Sequence, residues 1–223
     1  MSSKLNQTQI RVLGCLIEKQ LTTPDYYPLT LSALVTACNQ KSNREPVLSL
    51  SDNDVLDAIH GLNDLNLARE KQIPHARVAK YEHKLSDTLT KQYDFSKKEL
   101  AVLTVLFLRG PQTPGEIRSR SNRIYNFTTL EEVEETLRAL AEDKNEPYVT
   151  SLARQPGRRE IRYTQLFGEQ NALEDSDAMM AATPSSEPVS NPSEIEEMRV
   201  EIADLRRELD ELKQMLVQAN VIN

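Results

Sequence analysis

The chain has 223 residues, 39% of them hydrophobic, and its 27 Lys and Arg face 34 Asp and Glu for a formal net charge of −7. That length holds one large domain or two small ones, and the apolar fraction supports a packed core. No apolar run approaches the ~20 residues of a membrane span, and the opening M-S-S-K-L-N-Q lacks the apolar stretch of a signal peptide, so a cytoplasmic protein with no membrane partner is expected.

Ile10, Leu13, Leu16 and Ile17 recur at helical spacing and predict a first helix over residues 6–20. Cys15 falls inside it as a buried thiol, and with Cys38 the only other cysteine, no disulfide framework is expected. Further helices follow over 30–39 and 52–66, the last capped by Ser51 or Asp52. Two strands between 67 and 85, turning near Ile73-Pro74-His75, read as a wing. Between the second and third helices, residues 38–51 place Asn39, Gln40, Lys41, Asn43, Arg44 and Glu45 close together. Such a loop either offers donors to phosphates and base edges or satisfies its own backbone, with Glu45-Pro46 ending it in extended geometry.

A second set of elements begins at Phe95. Ser96 and Glu99 form a capping box ahead of Leu100, Leu103, Leu106 and Phe107, and Gly110-Pro111 stops the helix. Thr113, Pro114 and Glu116 open the next helix. Thr128 or Thr129 caps a third, with Val133, Leu137 and Leu140 as its apolar stripe. Alternation in 148–152 and 160–166, joined through Gln155-Pro156-Gly157, predicts a hairpin.

Displaced by 90 positions, the two sets share an apolar skeleton: Leu5 on Phe95, Val12 on Val102, Leu16 on Leu106, and Thr23-Pro24 on Thr113-Pro114. Later, Val55, Ile59 and Leu62 match Val133, Leu137 and Leu140, so the first copy carries about twelve extra residues, read as lying in the 38–51 loop. Internal duplication follows. The expected fold is α+β, mostly α: two tandem winged helix-turn-helix domains, 1–92 and 93–167.

The remainder differs in charge. Residues 1–167 hold 23 basic and 21 acidic side chains, whereas 168–223 hold 4 and 13. Residues 168–193, rich in Pro, Ser and acids, read as a disordered linker. Residues 194–220 read as a coiled-coil helix, with Ile195, Met198, Ile202, Leu205, Leu209, Leu212 and Leu216 at its a and d positions. Glu194, Glu201 and Glu208 at g face Arg199, Arg206 and Lys213 at e in a parallel pair, so a homodimer is expected. The competing reading is an amphipathic helix packed on the protein's own body.

The strings T-T-P-D-Y-Y-P-L-T, V-T-A-C-N-Q-K-S-N-R-E-P-V, R-G-P-Q-T-P-G-E-I-R-S-R and L-A-R-Q-P-G-R-R-E-I-R-Y resemble the YceH-like family of uncharacterised bacterial proteins over about residues 5–167. The resemblance implies a tandem winged-helix fold and brings no activity, catalytic residue or cofactor.

Cations cluster at Arg109, Arg118, Arg120 and Arg123, and in the second wing at Arg154, Arg158, Arg159 and Arg162; the first wing adds Arg69, Lys71, Arg77, Lys80 and Lys84. Arginines in a wing suit phosphates, so double-stranded DNA is the expected partner. The nucleic-acid contacts are read as Asn39, Lys41, Asn43, Arg44, Lys80, Arg118, Arg120, Arg123, Arg154, Arg158, Arg159 and Arg162. The third helices oppose this, since Glu131, Glu132, Glu134, Glu135 and Glu142 outnumber Arg138, and Asp52, Asp54, Asp57 and Asp64 stand without a cation. Normally that element enters the major groove. The alternative is therefore a protein-interaction scaffold using the acidic helices. His60, His75 and His83 have no metal-ligand spacing, with His75 and His83 read as solvated in the wing, and no catalytic motif occurs. Neither enzyme activity, cofactor nor metal is expected.

Overall fold

A computed structural model describes residues 4–74, 77–86, 93–142, 146–153 and 160–168. The fold is mixed α+β, mainly helical, with two small antiparallel sheets. The predicted linker, the coiled-coil positions Ile195, Met198, Ile202, Leu205, Leu209, Leu212 and Leu216, and the hairpin tip with Arg154, Arg158 and Arg159 lie outside the described residues. No helix among the described residues is long and apolar enough to cross a membrane.

The first half runs α1 (Gln7–Thr22), a 3-10 turn (Pro24–Tyr26), β1 (Leu29–Thr30), α2 (Leu31–Cys38), α3 (Asp52–Asp64), β2 (Ala68–Lys71) and β3 (Lys80–His83). Asn6 opens α1 through a capping box with Gln9, and Ser51 opens α3 through one with Asp54. β3 is the central strand of the first sheet, pairing Tyr81 with Leu29 of β1 and with Glu70 of β2. The Tyr27–Pro28 and Glu45–Pro46 peptides are cis.

The second half runs α4 (Lys97–Arg109), α5 (Pro114–Arg120), α6 (Leu130–Glu142), β4 (Val149–Ser151) and β5 (Tyr163–Gln165). Both capping boxes form as read, Ser96 with Glu99 and Thr113 with Glu116. At α6 it is Thr129 whose hydroxyl accepts from the Glu132 N–H, at 3.2 Å. Gln112 exchanges backbone bonds of 2.8 and 3.0 Å with Tyr163, occupying the place of β1.

This pairing corrects the register of the duplication. Thr30 and Thr113 are the equivalent caps: each follows a residue paired to the tyrosine of the inner strand, and each caps the second helix of its half. Thr23-Pro24 mimics Thr113-Pro114 in sequence but forms the 3-10 turn. The offset between halves therefore falls from 90 to 83 at the second helix and to 78 at the third. The extra residues are split between two loops rather than gathered in one.

α1 is buried at every residue from Arg11 to Ile17, and α4 at every residue from Glu99 to Leu108. A helix buried all round needs neighbours on each side. For each of these two, one neighbour is the other. Gly14 permits the contact, because a Cβ there would lie 2.9 Å from both the Phe107 Cβ and a Leu108 methyl. The apolar side chains of both halves form one continuous core. The chain start is tied to the second half as well: the Leu5 N–H donates to the Phe167 carbonyl at 2.9 Å.

A basic cleft where the two halves meet

The 39–51 loop is anchored from within. Asn39 holds both polar groups of Leu50, donating to its carbonyl and accepting from its N–H, each at 2.8 Å. Arg11 donates to the carbonyls of Cys38 (3.1 Å) and Pro46 (2.6 Å). The Arg44 side chain has no exposed area. It donates to both Glu18 carboxylate oxygens (2.6 and 3.2 Å), to the carbonyls of Ala37 and Asn43, and to Gln40 Oε1. Burial would depress the Arg44 guanidinium, but the bond to Glu18 overrides it and holds it above its ordinary value. Arg44, expected among the nucleic-acid contacts, is therefore structural, with all five of its N–H donors committed inside the fold, while the half-buried Asn39 spends one amide N–H and its oxygen on Leu50.

Lys41 and Asn43 turn outward. Asn43 adopts the left-handed conformation, φ 58°, which Asn tolerates better than most residues. Its side chain accepts from Arg109 at the end of α4. The Glu45 N–H donates to the Leu108 carbonyl at 2.8 Å. The loop of the first half thus reaches across to the second.

A cleft of about 430 Å³ opens at this junction. Lys19, Lys41, Arg109, Arg120 and Arg123 line it, over a floor that includes Val105, Leu108 and Ile124. Among the described residues its only lining carboxylate is Glu18, the one bound to Arg44. The corrected register explains the convergence. Lys19 and Arg109 are equivalent positions at offset 90, and Gln40 and Arg123 at offset 83, so the same two elements of each copy contribute to the lining.

The cations are unevenly satisfied. Arg120 donates to Gln112 and lies 3.5 Å from Glu116. Burial, then the charge of Arg120, holds the Arg109 guanidinium below its ordinary value, as crowded like charges require. Among the described residues, Lys41 and Arg123 make no hydrogen bond or ion pair. Of the expected contacts, Lys41, Asn43, Arg120 and Arg123 are brought together here. Arg109, grouped by sequence with Arg120 and Arg123, and Gln40, grouped with Lys41, also line the cleft, and Lys19 joins them with no signal in the sequence that it would.

The other expected contacts lie elsewhere. Arg118 is exposed on α5 and donates to the Thr128 carbonyl at 2.9 Å. Lys80 starts β3, paired with Thr30 and Lys71. Arg162 is half-buried before β5, its carbonyl accepting from the Leu152 N–H. In the first strand pair, Arg69 and Lys71 both bond Glu82, at 2.8 and 2.9 Å. Burial would raise the Glu82 carboxyl, and these two cations pull it below its ordinary value, so they are neutralised in place. His83, read as solvated, is buried. Its Nδ1 accepts from the Leu85 N–H at 3.2 Å, which leaves Nε2–H to donate to Gln20 at 2.5 Å. Burial pushes it down to about 4.

The third helices keep an acidic face: Asp52, Asp54, Asp57 and Asp64 are exposed on α3, and Glu131, Glu134, Glu135 and Glu142 on α6. Glu132 turns inward, bonded to Lys98, Tyr125 and the Thr128 N–H, and Lys98 leads in pulling its carboxyl down to about 2. Among the described residues no group of three or more His, Cys, Asp or Glu is placed to hold a metal ion.

The family described as "Protein of unknown function, DUF480" matches residues 5–158, which include every residue lining the cleft. The chain belongs to this family. A UPF0502 protein of Aliivibrio fischeri (strain MJ11) is 46% identical over 213 residues, covering 95% of each chain. A UPF0502 protein of Shewanella oneidensis is 41% identical over 214 residues, covering 96% of each. The resemblance to a family of uncharacterised bacterial proteins is thereby borne out.

Proposed function

We propose that the protein is a non-enzymatic, tandem winged-helix DNA-binding protein that contacts phosphates through cations around the mouth of the basic cleft. One observation carries the reading. Among the described residues, Lys41 and Arg123 stand exposed and unpaired beside Arg109 and Arg120, where the lining carboxylate is already bound. Two unpaired cations beside further arginines favour a polyanion, and the counterions released on binding add affinity at low salt. The order of three helices and an antiparallel strand pair in each half supports the winged-helix reading. The acidic faces of α3 and α6 speak against major-groove insertion, which leaves backbone contact of low sequence preference. Arg118, and by sequence Arg154, Arg158 and Arg159 if the second hairpin acts as a wing, would add phosphate contacts outside the cleft. The heptads past residue 194 would pair two such chains in parallel, so that two heads share one DNA.

Those same acidic faces favour a second reading, a scaffold for a basic protein partner. The two separate in one experiment. The double variant Lys41→Gln/Arg123→Gln should bind a mixed-sequence duplex more weakly and lose about 1.8 from the magnitude of the log–log salt slope, about 0.9 per lost phosphate contact. A scaffold would leave duplex affinity, if any, untouched by these substitutions.

A further inference from the structure

We propose that the interior of the cleft is a binding site for a phosphomonoester carried on a small planar body, of the nucleoside monophosphate class. The inference goes beyond DNA binding and stands without it. A duplex presents its phosphates on a convex surface and meets the exposed rim, Lys41 and Arg123. It does not fill a recess of about 430 Å³, which falls within the ~300–1,000 Å³ typical of small-ligand pockets.

The recess has two kinds of wall. One is cationic: Lys19, 3.7 Å from Glu18, and Arg109 stand at equivalent positions of the two halves beside Arg120, and burial, then the charge of Arg120, disfavours the Arg109 guanidinium. A dianionic phosphate relieves that repulsion and accepts from guanidinium groups in pairs. The other is the apolar floor, where the largely buried Val105, Leu108 and Ile124 offer a surface suited to the face of a planar ring. Gln40 and Asn43, whose amide oxygens are taken by Arg44 and Arg109, line the same recess with their amide N–H groups, and Ser42 adds a hydroxyl, groups that hydrogen-bond the edge of such a ring. The site is structurally supported. Arg44 and Glu18 fix the loop from below, and the Glu45–Leu108 backbone bond fixes it to α4. A ligand seated here touches both halves at once, so it would bias any movement of one against the other.

The test is calorimetric titration of the full-length protein, without DNA, using AMP, GMP, CMP and UMP, with adenosine and inorganic phosphate as controls. At least one monophosphate should bind at one site per chain, and adenosine should give no signal. Arg109→Gln should weaken binding about tenfold or more, as loss of a charged hydrogen bond does. Arg109 also bonds Asn43, so Lys19→Gln, at a partly exposed position, is the second variant and should weaken it too. The proposal is overturned if none of the four monophosphates binds at millimolar concentration. It is equally overturned if both variants bind like the wild type, or if inorganic phosphate binds as tightly as the nucleotides. Since no duplex is present, failure here leaves the DNA reading standing, and failure of the duplex titration leaves this one standing.

Discussion

Replacing Glu18 by Gln removes one negative charge and almost no volume. The Arg44 guanidinium would then sit with no exposed area and no counterion, while the new side-chain amide offers one acceptor where the carboxylate offered two. Breaking a buried ion pair from one side costs about 3–5 kcal/mol. The four remaining acceptor contacts to Arg44, from Ala37, Asn43, Gln40 and the new amide, place the expected loss near the lower end, about 3 kcal/mol. With a urea m value of about 2 kcal/mol/M, the unfolding midpoint should fall by about 1.5 M. Arg44→Gln should cost a similar amount, and the double variant should cost clearly less than the sum, since both substitutions remove one interaction. If Arg44 were instead a phosphate contact, Glu18→Gln would free it and tighten DNA binding with little change in stability. A midpoint shift below about 0.5 M with additive single costs would refute the structural assignment of Arg44.

Gly14→Ala should lower the melting temperature, because overpacking against Phe107 and Leu108 costs about 1–3 kcal/mol and exceeds the ~1 kcal/mol that Ala gains over Gly in a helix; a raised melting temperature would mean that α1 and α4 are not in close contact. His83, held down to about 4, binds its proton more readily in the unfolded chain, whose His titrates near 6.5. Its contribution, about 3 kcal/mol, is therefore present above pH 6.5 and lost as pH falls toward 4, a window that urea midpoints across pH should reveal and that His83→Gln should flatten. Asn39→Ala strands the N–H and carbonyl of Leu50 at a cost of about 1–3 kcal/mol, and hydrogen exchange at the Leu50 amide should accelerate.

The local signals were readable in advance. Ser96 with Glu99 and Thr113 with Glu116 are short-range devices whose partners lie three residues apart, and each formed as its spacing predicts. The duplication was legible in the apolar skeleton for the same reason. Its register was not, because Thr23-Pro24 copies the letters of Thr113-Pro114 while strand pairing to Tyr81 and Tyr163 selects Thr30 as the true counterpart. Arg44 looked like a surface donor because burial of a guanidinium depends on Glu18, twenty-six positions earlier. His83 was misplaced for a like reason: its partner Gln20 lies in another element. The cleft is the extreme case. Its cations come from α1, the 39–51 loop, α4, α5 and the turn after it, and only the packing of α1 on α4 makes them neighbours.

The most direct measurement is the anisotropy of a labelled mixed-sequence duplex titrated with full-length protein over a series of salt concentrations. The account predicts binding at low salt that weakens with a log–log slope of about −3 or steeper, as three or more phosphate contacts require. No binding at about 50 mM salt, or affinity indifferent to salt, would contradict it.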